Sequence, residues 1–415
     1  MKTLSQVDRM LKKSAVTPCA PIRVCMHVRG VVRTDGRVMR EATALMEAGF
    51  AVTILDFEDD LTRPVEEDIG GIHVKHIMKP NWLIPTNLKP WRLVKSTKKL
   101  IYTAMRLIQM PADIYHAHDS NALAACYVAA TWHRKPLVFD AHELPLDEPD
   151  GTSRWLPALV TRLLAVMLRR CTGIITVSSP IAQEICKRYH VPQVCLVRNI
   201  LPYQMTAKSD RLQKYLGLSS SVRIALYQGN LDSRGLERLI PVARYLEPNI
   251  VIVMMGRAEA TIQSNLEKLV IQEGVSNQVR IIPPVPYAEL LTWTASADIG
   301  LVVYSPTRGP RFAPNIQMCL PNKLFEYLMA GLPVLASSLD AVTEVIKTYD
   351  VGRIVTSHDP AQIGRAINAM LADRDALMQM HNNALAASNS DLCWESESRQ
   401  LLAFYQDILS PYERN

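Results

Sequence analysis

LPNKLFEYLMAGLPVLAS, residues 320–337, reads as a helix feeding directly into a buried strand. Pro321 and Asn322 open the helix, because a missing N–H costs nothing in the first turn. Gly331 closes it, because glycine accepts the left-handed backbone of a helix end. Pro333 then starts the apolar run PVLAS (333–337). A strand that is apolar at consecutive positions is covered on both faces, as in a parallel sheet flanked by helices. Glu326 stands in the first turns of this helix, between Phe325 and Tyr327. A carboxylate there can accept both hydroxyls of a ribose, but it equally suits the positive end of a helix dipole.

The same alternation extends outward in both directions. Towards the N-terminus lie the short Val/Ile-rich runs 22–28, 50–57, 72–78, 112–119, 136–143 and 173–178, separated by helical patterns at 36–48, 92–109, 120–133, 154–170 and 180–189. The second half offers strands at 223–229, 249–256, 278–284, 297–303, 333–337 and 351–355. Its helices fall at 235–246, 259–273, 286–295, 322–330, 340–347 and 360–372. The rhythm breaks at RNILPYQMTAKSD (198–210). A chain of 415 residues also exceeds the roughly 250–300 at which one core stops growing. The expected organisation is an N-terminal extension (1–20), a first α/β domain (21–203), a second (204–388) and C-terminal helices (389–415) packing back on the first domain.

Doubly wound sheets bind ligands at the carboxyl ends of their strands, so the residues there are the candidates for chemistry. In YQGNLDSRGLERLI (227–240) a strand ends at Gly229, and Gly235 is expected to open a helix. Backbone N–H groups with Arg234 beside them make a seat for phosphate. A plain tight turn with a solvated Arg explains the residues equally well, and the spacing is neither a Walker loop nor G-x-G-x-x-G. HAHD (116–119) and DAHE (140–143) place Asp119 and the pair Asp140/His142 at two further strand ends. A substrate-contacting role ranks above a metal site, since no metalloprotease helix motif accompanies them.

Composition excludes several classes. With 48% hydrophobic and 21% charged residues the chain is globular, neither disordered nor fibrous. Eight scattered cysteines without a C-x-x-C pair suggest no zinc site or disulfide framework and fit a reducing cytoplasm. No apolar run is long enough to span a bilayer, and the N-terminus lacks the apolar core of a secretory signal. Residues 1–200 hold 27 Lys and Arg against 19 Asp and Glu, whereas the remainder holds 19 against 21. The basic excess gathers in 79–109, where no acid occurs between Asp68 and Asp113, and in 153–170. Trp82, Trp91 and Trp155 stand at the helix starts, and Leu156, Leu159, Leu163, Leu164 and Met167 are expected on one face. Cationic amphipathic helices of this kind suit an anionic membrane surface; ordinary packing helices with basic outer faces are the alternative. No nucleic-acid motif appears.

Together, GNLDSRGLERLI (229–240) and LPNKLFEYLMAGLPVLAS (320–337), supported by TDGRVMREATALMEAGFAVTIL (34–55) and LVFDAHE (137–143), resemble the retaining glycosyltransferases of family 4. The resemblance runs from about Ile22 to the last helices. It implies the glycosyltransferase B (GT-B) fold: two Rossmann-like, doubly wound parallel-sheet domains facing a central cleft, donor in the C-terminal domain and acceptor in the N-terminal one. It implies transfer from a nucleoside-diphosphate sugar to a polysaccharide, lipid-linked or other glycan acceptor, in the cytoplasm or on the inner face of the membrane. By position, His142 and Arg234 look catalytic. Gly229, Asn230, Arg234, Pro284, Asn322, Lys323, Leu324 and Glu326 look donor-binding. Arg29, Gly30, Arg37, Asp119, Asn315 and Gln317 are candidates for sugar or acceptor contact. No metal or other cofactor is implied.

Two positions depart from the family pattern. Met318 stands where the first glutamate of E-x7-E is usual, and no acid occurs from Gly300 to Phe325. Asn230 replaces the usual Arg after the glycine of the diphosphate loop. Arg308 and Arg311 add positive charge nearby in sequence. A nucleotide-sugar 2-epimerase or hydrolase of the same fold, and a catalytically impaired scaffold in polysaccharide assembly, are the alternatives these departures leave open. The donor base, the sugar, the acceptor and the oligomeric state are not legible.

Overall fold

A computed structural model describes residues 20–78, 89–145, 155–232, 235–304 and 313–410. The chain forms two compact units, Met1–Val138 and Phe139–Asn415.

The first unit carries β1 (Arg23–His27), β2 (Ala51–Glu58), β3 (Glu66–Ile69), β4 (Ile72–Met78) and β5 (Ile114–His118), in the order β3-β4-β2-β1-β5. Strands β4, β2, β1 and β5 run parallel, with Cys25 opposite both Thr53 and Tyr115. They are the four apolar runs expected of this segment. The edge strand β3 was not expected, because its sequence EEDI has no apolar run. It pairs antiparallel with β4 through Gly70–Gly71, both at positive φ, as a two-residue hairpin requires. Val24, Met26, Ile54, Val74 and Ile114 are essentially solvent-free in this sheet, and each such side chain contributes about 1.5–3 kcal/mol. The helix Gly36–Glu47 begins at Asp35, whose Oδ1 accepts hydrogen bonds from the N–H groups of Arg37 and Val38, both at 3.2 Å. Its buried Val38, Ala42 and Leu45 recur at the three-to-four-residue spacing of a core-facing stripe.

The strand β6 (Leu137–Ala141) crosses the division between the units. In the second unit β7 (Gly173–Thr176) and β8 (Cys195–Leu196) follow it in that order. A separate six-stranded parallel sheet holds β9 (Arg223–Gln228), β10 (Ile250–Met255), β11 (Val279–Ile282), β12 (Ile299–Val302), β13 (Val334–Ser337) and β14 (Gly352–Val355). Its order is β11-β10-β9-β12-β13-β14. Within this unit the final helix, Trp394–Leu409, lies on β7: a Cβ on Gly173 would stand 2.3 Å from the Phe404 ring. Arg198 reinforces that seat by pairing with buried Glu397 at 2.7 Å.

One expected element is corrected. Residues 235–246 do not form an α-helix; they form two 3-10 turns, Leu236–Leu239 and Pro241–Tyr245. Pro241 would sit inside the expected helix, where it has no N–H to donate and its ring clashes with the preceding turn. A helix N-terminus as a phosphate seat at Gly235 is therefore not what the structure provides. No described helix is long and apolar enough to cross a membrane.

Candidate active site

The six-stranded sheet reverses direction at β9. The chain runs outward from β9 through β10 to β11, then returns to lay β12 on the other side of β9. Such a reversal leaves a crevice at the carboxyl ends of the two strands. Here β9 and β12 are in register only at Ala225–Ile299 and Leu226–Gly300. Beyond that point the fully buried phenol of Tyr327 stands between them. Its hydroxyl accepts from the Gln228 N–H at 2.9 Å and donates to the Leu226 carbonyl at 3.0 Å. Gly300 makes room for the ring, since a Cβ there would lie 2.4 Å from it.

Glu326 precedes Tyr327 on the helix Asn322–Met329, which starts without a side-chain cap after Pro321. Its Oε2 accepts from Gln228 Nε2 at 2.6 Å, and Gln228 Oε1 accepts from the Thr294 hydroxyl at 2.7 Å. Burial pushes the Glu326 pKa above the usual carboxylate range, while the Gln228 hydrogen bond and the nearby Lys323 charge pull it back. The Lys323 ammonium sits 3.5 Å over the Tyr227 ring and 5.6 Å from the Tyr304 ring, a cation held largely by aromatic faces. Gly229, at φ +115°, lets it in: a Cβ there would stand 3.2 Å from Lys323 Nζ.

The loop after β9 is stapled rather than open. Asn230 Oδ1 accepts from the Asp232 N–H, Asp232 Oδ1 accepts from the Glu259 N–H, and Leu231 N–H donates to the Arg257 carbonyl. Gly256 permits this close approach, since a Cβ there would fall 1.7 Å from the Gly229 carbonyl oxygen. Asn230 thus supplies a turn where the family pattern supplies a cation. Asn322 and Pro284 are exposed, at the start of the helix and past the end of β11; Leu324 is fully buried and anchors its helix. Arg234, Arg308 and Arg311 lie outside the described residues.

At the end of β6, His142 Nε2 stands 2.9 Å from Oδ2 of buried Asp140. The following Leu144 N–H donates to Asn315 Oδ1 at 3.0 Å, and the Asn315 amide points back to the Leu144 carbonyl. Gln317 Nε2 donates to the Ser338 carbonyl and to Asp340. The carbonyl of Met318 accepts from buried Ser178. The described part of the segment where an acid is missing is therefore knitted into its own unit by side-chain amides and backbone, with Asp340 as the one carboxylate among these contacts.

In the first unit Arg29 donates to Asn121 at 2.9 Å, and the Gly30 carbonyl accepts from the Phe57 N–H. Arg37 is not a loop cation: it is buried and pairs with Glu41 at 3.1 Å. His116 stacks on His118 at 4.3 Å, with Glu41 Oε2 3.9 Å from His116 Nε2. The donor atoms of these three lie within 4.8 Å of one another, but Arg37 already supplies the counter-charge a cation would bring. Asp119 opens the helix Ser120–His133 at φ 66°, ψ 161°, a backbone state that costs a non-glycine residue about 1–3 kcal/mol.

The basic helices divide their faces differently from the expectation. In the helix Trp155–Arg170, Leu164 and Leu168 turn inward while Leu159, Leu163 and Val166 are exposed beside Arg162, Arg169 and Arg170. In the helix Lys89–Ile108, Ile101, Tyr102 and Met105 are exposed among Lys95, Lys98 and Arg106. Trp82 and the side chains of Trp91, Trp155 and Leu156 lie outside the described residues.

Sequence reading missed Gln228, Thr294 and Tyr327. The signal for Gln228 was present, a polar residue ending the apolar run RIALYQ (223–228). Thr294 and Tyr327 sit in helices whose composition gives nothing away.

Comparison with known proteins places these features in a family. Residues 36–201 match the model for Glycosyltransferase Family 4, and residues 209–386 match that for Glycosyl transferases group 1. The D-inositol 3-phosphate glycosyltransferase of Xylanimonas cellulosilytica is 24% identical over 396 residues, covering 89% of this chain and 90% of that protein. Sucrose-phosphate synthase of Thermosynechococcus elongatus superposes with a TM-score of 0.73 at 14% identity, over 94% of this chain and all of that one. Anabaena HepE in complex with UDP gives 0.70 at 16%, over 93% of this chain and all of HepE. These superpositions establish the two parallel-sheet α/β architecture of the GT-B enzymes.

Proposed function

Because the chain belongs to the group 1 glycosyltransferases of the family 4 type, we propose that it moves a sugar, with retention, from a uridine-diphosphate sugar to a glycan or lipid-linked acceptor. The observation that carries this reading is the presence of Glu326 and Lys323 together on the helix at the β9–β12 crevice. One side chain can accept the two ribose hydroxyls, and the other can meet diphosphate charge beside the backbone of Gly229. Uridine is the base of choice because the structural neighbour HepE was solved with UDP.

In this reading the anomeric C–O bond to the diphosphate breaks as the acceptor oxygen bonds to the same face. The acceptor proton passes to the departing phosphate oxygen. Lys323 and Arg234 stabilise the charge that builds there, so no divalent metal is required. His142, oriented by Asp140, faces the transferred sugar. The exposed apolar stripe Leu159, Leu163 and Val166 of the basic helix Trp155–Arg170 rests on an anionic membrane surface and brings a lipid-linked acceptor within reach.

A thermal-shift panel of UDP, GDP, ADP and their sugars tests the donor. UDP should raise Tm saturably, with EDTA making no difference. No shift from any nucleotide would return the chain to the scaffold reading. Cosedimentation with anionic but not zwitterionic vesicles, weakened by salt and by Leu163→Ser, tests the membrane surface; equal binding to both vesicles would contradict it.

A further inference from the structure

We propose that Thr294 and Gln228 are positioning residues that hold one oxygen of the Glu326 carboxylate, so that the other is aimed at the ribose of the donor. The inference rests on the donor reading above and deepens it. All three side chains lie in one line: Thr294 Oγ1 to Gln228 Oε1 at 2.7 Å, and Gln228 Nε2 to Glu326 Oε2 at 2.6 Å. Thr294 is fully buried and Gln228 nearly so, at 2% exposure, while Glu326 is the member that reaches solvent. A polar side chain so deep in a core is held there by its hydrogen bonds.

The direction of the line follows from the chemistry. Turned over, the Gln228 amide would set its carbonyl oxygen 2.6 Å from a carboxylate oxygen, which is repulsive unless Glu326 carries a proton. The ionised carboxylate therefore selects this orientation, and Thr294, whose hydroxyl lies 2.7 Å from Gln228 Oε1 and 2.8 Å from the Leu290 carbonyl, completes the line by donating to Oε1. The main chain of Gln228 is pinned separately by Tyr327. Both ends of the residue are thus held, and towards an ionised Glu326 it is the NH2 group that points. An ionised carboxylate with Oε2 engaged presents Oε1 as its free acceptor, the form a diol recognises.

The test is calorimetry of UDP and of 2′,3′-dideoxy-UDP with the full chain and with Gln228→Met, Thr294→Val and Thr294→Ser, both replacement side chains in the first two being close in shape to the originals. Gln228→Met and Thr294→Val should weaken UDP about five- to thirtyfold and leave dideoxy-UDP unchanged, and Thr294→Ser should restore UDP affinity. In Gln228→Met the loss of UDP affinity on acidification should also begin at higher pH, because the hydrogen bond that lowers the Glu326 pKa is gone. If UDP binds and requires Glu326 but neither variant alters the ribose preference, the positioning role is refuted and the donor site stands. If UDP does not bind the parent chain, both readings fail together.

Discussion

The crevice between β9 and β12 and the polar interior of the first unit handle buried charge in opposite ways. In the first unit Arg37 and Glu41 neutralise each other out of solvent, and Arg29 leans on Asn121. At the crevice a line of neutral groups, Thr294 and Gln228, supports the Glu326 carboxylate, and Lys323, whose charge is felt there, is lodged on the Tyr227 ring. A self-neutralised pair has little left to offer a ligand. A carboxylate braced by neutral donors has no bound cation to give up and keeps an open acceptor. The contrast separates residues that hold the fold from residues poised to bind.

The contrast can be broken first at its structural end. Arg37→Met removes the buried cation that stands 3.1 Å from Glu41. Stability should fall by about 3–5 kcal/mol, read as a lower denaturant midpoint, and Arg37→Met with Glu41→Leu should recover much of it. UDP affinity per folded molecule should not change. A specific loss of nucleotide binding would show that Arg37 belongs to the donor chemistry.

A smaller effect of the opposite sign is expected at the crevice. Burial raises the pKa of Glu326, so the folded chain holds that proton more tightly than the unfolded one. The group therefore adds stability as pH falls through its raised pKa and withdraws it as pH rises above. Glu326→Gln should be slightly more stable than the parent near pH 7.5, by roughly 1–3 °C in Tm, with the difference closing towards pH 4. A variant that is less stable at every pH would mean the carboxylate is structural.

Most of the parallel strands were legible because continuous Val/Ile runs mark strands covered on both faces, and Pro–Gly punctuation fixed the helix Asn322–Met329 closely. The failures have physical causes. The strand β3 is held by hairpin geometry at Gly70–Gly71 rather than by apolar pattern. The expected helix at 235–246 gave way to Pro241. At the site, Gly229 and Glu326 were singled out by their place after a strand and at a helix start and Lys323 by the family resemblance, and the structure brings the three to the crevice at β9. Gln228 and Thr294 escaped because their role depends on a contact between residues 66 apart in sequence. Asn315 and Gln317, read as sugar contacts, are engaged with Leu144, Ser338 and Asp340, partners that no local pattern announces.

The most direct measurement is titration calorimetry of UDP into the parent chain and into Glu326→Ala at pH 7.5. The account predicts saturable one-site binding by the parent and an affinity lower by about tenfold or more in the variant, since a hydrogen bond to a charged group contributes about 1.5–3 kcal/mol. Equal affinity in the two proteins would contradict it, because the ribose would then be recognised somewhere other than the crevice at β9.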